Sequence, residues 1–379
     1  MPGWELIGQE ERDAAMSLFE PTPQSYFFTN KAKVRAFEEA FAKSLGVADA
    51  VSCSSGTAAL KIALKALGIG PGDEVITQAH TFVATVEAIV DCGATPIIAE
   101  IDESLNMDPE DLKNKLTRRT KAILPVHMLG VACKMDPILS VAWAAGVRVV
   151  EDTSQACHGT YKGWRLGTMG DFGCFSFSYS KILTTGEGGM VVARHEGFFK
   201  LARSYADHGH DFDPTVPSRG QDTHARGGFN YRMGAFQAAV GLAQLSKLSH
   251  SIEIHRQHKA RLIELILDVY PILSRRMIPD PSGDIGDAVC FFMATEQAAQ
   301  KVARRLFEKD GIMLKNLPDA LNWHSVENWH HLIGMQAMNL KRSGQLLRRC
   351  IALQVCYKWT DADMQRVAQA VCTAIKEST

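Results

Sequence analysis

From residue 74 to residue 193 the chain alternates short apolar runs with stretches of helical period, and this rhythm restricts the fold more than any other feature. Apolar runs fall at 74–78 (EVITQ), 96–100 (PIIAE), 120–126 (TKAILPV), 147–151, 173–179 and 188–193, with an earlier short one at 50–53. Helical patterns lie between most of them, at 57–67, 82–91, 108–116, 135–145 and 196–206. Alternation of this kind argues for a mainly parallel, twisted sheet covered by helices on both faces. The expected fold class is therefore α/β with a mainly parallel central sheet flanked by helices.

The rhythm stops at 207. Residues 207–230, DHGHDFDPTVPSRGQDTHARGGFN, are polar and have no period, and they are too long for an idle connection in a compact domain. A long helix is expected from about residue 235 (AFQAAVGLAQLSKL), followed by helical patterns and an apolar strand or two. The division expected is a large domain over 1–250, with an N-terminal arm at 1–30, and a smaller C-terminal α+β domain over 251–379. A length of 379 residues suits one large and one smaller domain.

Bulk properties narrow the function classes. A net charge of −1 leaves no electrostatic footprint for nucleic acid or an anionic membrane. No apolar stretch reaches the ~18 residues of a membrane span, and the N-terminus lacks a signal-peptide pattern. Nine scattered cysteines without a CxxC pair fit reduced thiols in a cytoplasmic protein better than a disulfide framework.

Three stretches carry chemistry. Ser54-Ser55-Gly56-Thr57 opens a helix, where free N–H groups and the positive dipole end make a phosphate seat. Taken alone it is an ordinary N-cap. The run VRVVEDTSQACHG delivers Asp152 at a strand end, the edge of a parallel sheet at which ligands bind. Gln155, one turn on, can reach a phenolic oxygen, whereas His158 reads as a hydrogen-bonded loop histidine. The alternating run Cys174–Tyr179 then delivers Lys181 ahead of a glycine cluster, TTGEGG, that lets chain and ligand approach closely. Partial desolvation there lowers an amine's pKa and makes it a nucleophile toward an aldehyde. Ser176 can reach the same phosphate as Thr57. Each signal is weak by itself. In the order phosphate seat, acid, amine, with 29 residues from Asp152 to Lys181, they agree on pyridoxal phosphate, with Lys181 on its aldehyde and Asp152 on its ring nitrogen.

Four segments make the sequence similar to a known family: SSGTAALKIALKALGIGPGDEVITQAHTFVATVEAIVDCGATPI, VVEDTSQACHGTYKG, FSFSYSKILTTGEGGMVV and FNYRMGAFQAAVGLAQL. They resemble the DegT/DnrJ/EryC1/StrS sugar aminotransferases over about residues 50–245. The resemblance implies a fold-type-I, pyridoxal-phosphate-dependent homodimer with active sites at the subunit interface. It puts Lys181 in the Schiff-base position, Asp152 opposite the pyridine nitrogen and Gln155 in the DxxQ position. Phe82 matches an aromatic residue that stacks on the cofactor ring. Gly56, Thr57 and Ser176 match phosphate-binding positions, and Asn230 matches an asparagine contributed by the neighbouring subunit. Two positions depart from the family pattern: Ile182 stands where asparagine is usual, and Gly234 where serine or threonine is.

MPGWELIG, DHGHD (207–211) and LNWHSVENWHHL (321–332) further resemble the branch that aminates C8 of a 3-deoxy-octulosonate in lipopolysaccharide synthesis. Most of the family acts instead on nucleotide-linked keto-hexoses. The carboxylate of an octulosonate makes His208, His210, Arg232 and His324 candidate substrate contacts. A metal site in the His/Asp-rich loop is disfavoured by its irregular spacing. The expected reaction is transfer of an amino group from glutamate or glutamine to an oxo-sugar. The alternatives are a sugar dehydratase, in which histidine replaces the lysine, and a catalytically silent protein on the same fold.

Overall fold

The computed structural model describes residues 2–20, 31–210, 227–318 and 321–378. Its strands, in chain order, are β1 (Ala50–Cys53), β2 (Glu74–Gln78), β3 (Thr95–Ala99), β4 (Thr120–Ile123), β5 (Arg148–Asp152), β6 (Thr160–Tyr161), β7 (Trp164–Arg165), β8 (Phe172–Ser176), β9 (Gly189–Ala193), β10 (Ala288–Phe292) and β11 (Cys350–Gln354). Seven of them form one sheet in the order β1-β9-β8-β5-β4-β2-β3. Every pairing from β8 through β3 is parallel, and only β9 runs against its neighbours. The sheet is thus mainly parallel, with helices on both faces.

Strand β8 shows how the sequence builds these layers. Its side chains alternate faces. Phe172 and Cys174 enter a cluster with Leu60, Ile62 and Leu64 of the helix Gly56–Ala66. Phe175, and Phe177 just beyond the strand, enter the opposite cluster with Phe37 and Phe41 of the helix Lys31–Leu45. The rings of Phe41 and Phe175 meet edge-on, with centroids 5.0 Å apart. Both phenylalanine faces are dry, so the loop that leaves β8 starts from a fixed point. The strand ends at Ser176, earlier than the apolar run suggests, although Phe177 N–H still meets Gly188 O of the neighbouring chain segment at 2.8 Å, one step beyond the β8–β9 pairing.

The long helix expected after 235 runs Ala235–Leu267. Residue 250 lies inside it, so the division expected there does not coincide with a linker. The helix serves both parts of the chain. Ala238 and Leu248 pack with Phe37 and Phe41, whereas Leu262 and Ile266 pack with Val289, Phe291 and Ile351 of the two-stranded sheet β10–β11.

The N-terminal residues are more than an arm. Helix Gln9–Met16 lies on the long helix and buries Glu11. Lys247 Nζ sits 2.7 Å from the Glu11 carboxylate, and Gln244 Nε2 donates to it at 2.9 Å. Residues 21–30 of the expected arm lie outside the described residues, as do 211–226 of the polar stretch. All nine cysteines are free. Among the described residues no helix is long and apolar enough to cross a membrane.

Candidate active site

Strands β5 and β8 end beside a cavity of about 620 Å³. Two adjacent acids close β5, and the pleat sends them to opposite faces. Glu151 is fully buried and accepts N–H bonds from Gly167 (2.8 Å), Met169 (2.7 Å) and Gly170 (2.7 Å), with His127 Nε2 3.2 Å from its Oε2, so it is satisfied away from the cavity. Asp152 lines the cavity, yet is only 3% exposed. Thr85 Oγ1 donates to its Oδ2 at 2.9 Å and Ser154 N–H to its Oδ1 at 3.0 Å. Among the described residues no cation pairs with it. A buried carboxylate held by two donors and facing a cavity without a counter-ion suits a protonated ring nitrogen.

Lys181 lies in the turn after β8. Its N–H donates to Ser178 O at 3.0 Å, and its neighbours Ile182 and Leu183 are sunk in the Phe37–Phe41 cluster. That contact accounts for the apolar residue at 182, because the side chain there belongs to the core. Among the described residues Lys181 Nζ has no hydrogen bond or ion pair. Burial lowers its pKa first and the Lys315 ammonium lowers it further, while Asp152, Asp287 and Glu187 pull the other way. The net direction is down from the ordinary lysine value, which raises the share of neutral amine.

The phosphate seat is a fold property. Ser55 caps the helix Gly56–Ala66, its side chain accepting from Ala58 N. The first N–H groups, at Gly56 and Thr57, have no acceptor within a helix. Ser176 stands directly opposite. A Cβ on Gly56 would lie 2.6 Å from Ser176 Cβ and 3.0 Å from its Oγ, so only glycine leaves this cradle open. Gly56→Ala is expected to force helix and β8 apart and to raise the pyridoxal phosphate concentration for half-saturation about tenfold. Titration of the apoprotein, followed by absorbance, measures it.

Gln155 accepts from Leu129 N–H at 3.1 Å through Oε1, which leaves its amide NH₂ as a donor at the cavity wall. Phe82 is 43% exposed at the mouth. It stands against Trp323, stacked with centroids 6.5 Å apart, and against His324 at 5.5 Å. His158 is tied up in the core: Nε2 meets Ser44 Oγ at 2.9 Å, and burial, helped by Arg165, lowers its pKa to about 4.

One chain therefore gathers Gly56, Thr57, Phe82, Asp152, Gln155, Ser176, Lys181 and His324 around the cavity. It does not bring Asn230, Arg232, His208 or His210 there. Asn230 is exposed, with Oδ1 accepting from Arg232 N–H at 3.3 Å. The Arg232 guanidinium is ion-paired with Asp207, and the rings of His208 and His210 lie against each other 6.5 Å apart. In their own chain Arg232, His208 and His210 do not line the cavity; His208 N–H donates to Phe229 O and Gly209 N–H to Ser204 O. Gly234, the other departure, caps the long helix, and a Cβ there would meet only the movable end of Gln237.

Thr85, Lys315 and Asp287 also line or support the site and were not read from sequence. Thr85 had a signal: it lies one turn after Phe82 in HTFVAT, on the same helix face. Lys315 and Asp287 belong to no motif.

The family model for the DegT/DnrJ/EryC1/StrS aminotransferases matches residues 9–372. The chain belongs to this family. Its sequence is 31% identical, over 98% of its length and 96% of the other, to uncharacterized protein MJ1066 of Methanocaldococcus jannaschii. It is 44% identical over 217 residues to a GDP-perosamine synthase of Caulobacter vibrioides, a match spanning 57% of either chain. The aminotransferase from Psychrobacter cryohalolentis has a similar structure, with a TM-score of 0.88 at 27% identity over 99% of this chain and 98% of that one. Pyridoxal phosphate is the cofactor of the DegT/DnrJ/EryC1/StrS family. The open cradle at Gly56, the unpartnered Lys181 amine and the Asp152 carboxylate are the donor set that such a group requires.

Proposed function

We propose that the chain is a pyridoxal-phosphate-dependent aminotransferase that moves the amino group of glutamate or glutamine to an oxo-sugar. The observation that carries this reading is one cavity holding a half-buried lysine amine and a buried carboxylate, neither ion-paired among the described residues, and an open anion cradle. Gly56, Thr57 and Ser176 would hold the phosphate, Asp152 the ring nitrogen, Gln155 the phenolic oxygen and Phe82 one face of the ring. The bound cofactor supplies an electron sink for the carbon that loses its proton. The chain supplies the rest. Asp152, fixed by Thr85 and Ser154, keeps the ring nitrogen protonated. Lys181 Nζ, poised toward its neutral form, would take the proton from the substrate carbon and return it to the carbon on the other side of the transferred nitrogen. Burial of Asp152 keeps water from competing for the ring nitrogen.

Asn230 on the outer surface supports a homodimer in which each copy completes its partner's phosphate seat. The oxo-sugar is 8-oxo-3,8-dideoxy-octulosonate or a nucleotide-linked keto-hexose, used in surface-polysaccharide or amino-sugar synthesis. The test supplies loaded protein with nitrogen-labelled L-glutamate and each oxo-sugar, and follows product mass. The label is expected in the sugar. A deoxygenated sugar without label means a dehydratase, and no visible cofactor band after added pyridoxal phosphate means a silent protein.

A further inference from the structure

The geometry points to Lys315, held in place by Asp287, as the subsite that seats the α-carboxylate of the amino donor. This inference rests on the aminotransferase reading above and adds the residues that select the donor. Lys315 and Asp287 flank the small sheet: Asp287 immediately precedes β10, and Lys315 donates its N–H to Ala352 O of β11 at 2.8 Å. Both line the cavity that holds Lys181 and Asp152. Their side chains form an ion pair, and the Lys315 side chain is 15% exposed.

Charge balance makes the case. Glutamate and glutamine both carry an α-carboxylate, and a carboxylate entering a part-buried cavity needs a donor there. Among the described residues lining this cavity, Lys315 is the only lysine or arginine besides Lys181. Lys181 is committed to the reacting carbon. Arg232 is spoken for by Asp207 and lies away from the cavity in this chain. An ammonium has three N–H donors, and the bond to Asp287 uses one of them. Asp287 holds that ammonium in place from a position 3% exposed.

The test uses loaded enzyme and two donors, L-glutamate and L-glutamate α-amide, in which only the α-carboxylate is neutralised. The readout is the donor concentration that half-bleaches the visible cofactor band. Lys315→Met is expected to raise that concentration about 10- to 100-fold for L-glutamate and to leave the α-amide within about twofold. Lys315→Arg is expected to recover most of the loss. Should the methionine variant not fold, Lys315→Gln carries the same comparison. Equal weakening of both donors makes Lys315 merely structural and overturns the assignment, as does no change with either. A wild-type protein that forms no cofactor band at all instead removes the aminotransferase reading, so the two failures are distinct.

Discussion

Lys181→Ala is expected to lower turnover by about 10³-fold or more, because one amine both tethers the cofactor and carries the proton. Its effect on binding is expected to be much smaller. Gly56, Thr57, Ser176 and Asp152 are untouched by the change, so the variant should still take up pyridoxal phosphate, held without a covalent bond. Borohydride treatment followed by peptide mapping separates the two effects: the label is expected on the Lys181 peptide of wild-type protein and on no peptide of the variant. Full turnover in the variant, or a label on another lysine, sinks the assignment. The direction of the lysine's pKa adds a second check. Burial and the Lys315 charge lower it, so cofactor attachment should be complete at a lower pH than an ordinary lysine allows. Lys315→Met removes one of the two lowering influences and should move that attachment limb to higher pH.

Asp152→Asn is the second large effect. The amide keeps the size and can still accept from Thr85, but it no longer offsets a protonated ring nitrogen. Breaking a buried charge pair costs about 3–5 kcal/mol, which sets the expected loss of turnover at about 10²- to 10⁴-fold. Thr85→Val removes the 2.9 Å hydrogen bond to Oδ2 and leaves the charge, so a loss of only about tenfold is expected. Steady-state rates on the two variants check this order. Equal losses would show that orientation of the carboxylate, and not its charge, is what matters.

The two acids at the end of β5 mark how far sequence reading goes. Period-two alternation says that Glu151 and Asp152 face opposite ways, and strand position says that one of them meets ligand. Which one is a matter of what surrounds each. Glu151 is closed off by three backbone N–H groups from the 167–170 turn, and that turn lies close only because β8 pairs with β5. The N-terminal residues teach the same lesson. QEERDAAM looks solvated because it is polar, yet Glu11 is buried, since Lys247 and Gln244 from a helix more than two hundred residues away meet it.

Local order alone determined the alternating strands and helices, the mainly parallel sheet, and the sequence of anion seat, acid and amine. Each of these depends on residues within a turn or a strand of one another, where periodicity and capping act. Only the tertiary structure decided that Lys315 and Asp287 share a wall with Lys181, that Ile182 is core, and that Asn230, Arg232, His208 and His210 lie outside the cavity of their own chain. Those placements come from packing between distant segments: β10 and β11 seated on the end of one long helix, and residues 207–210 and 227–232 bonded to each other and to Tyr205. Spacing along the chain carries no record of such distances, because burial of apolar faces fixes them once every element has formed.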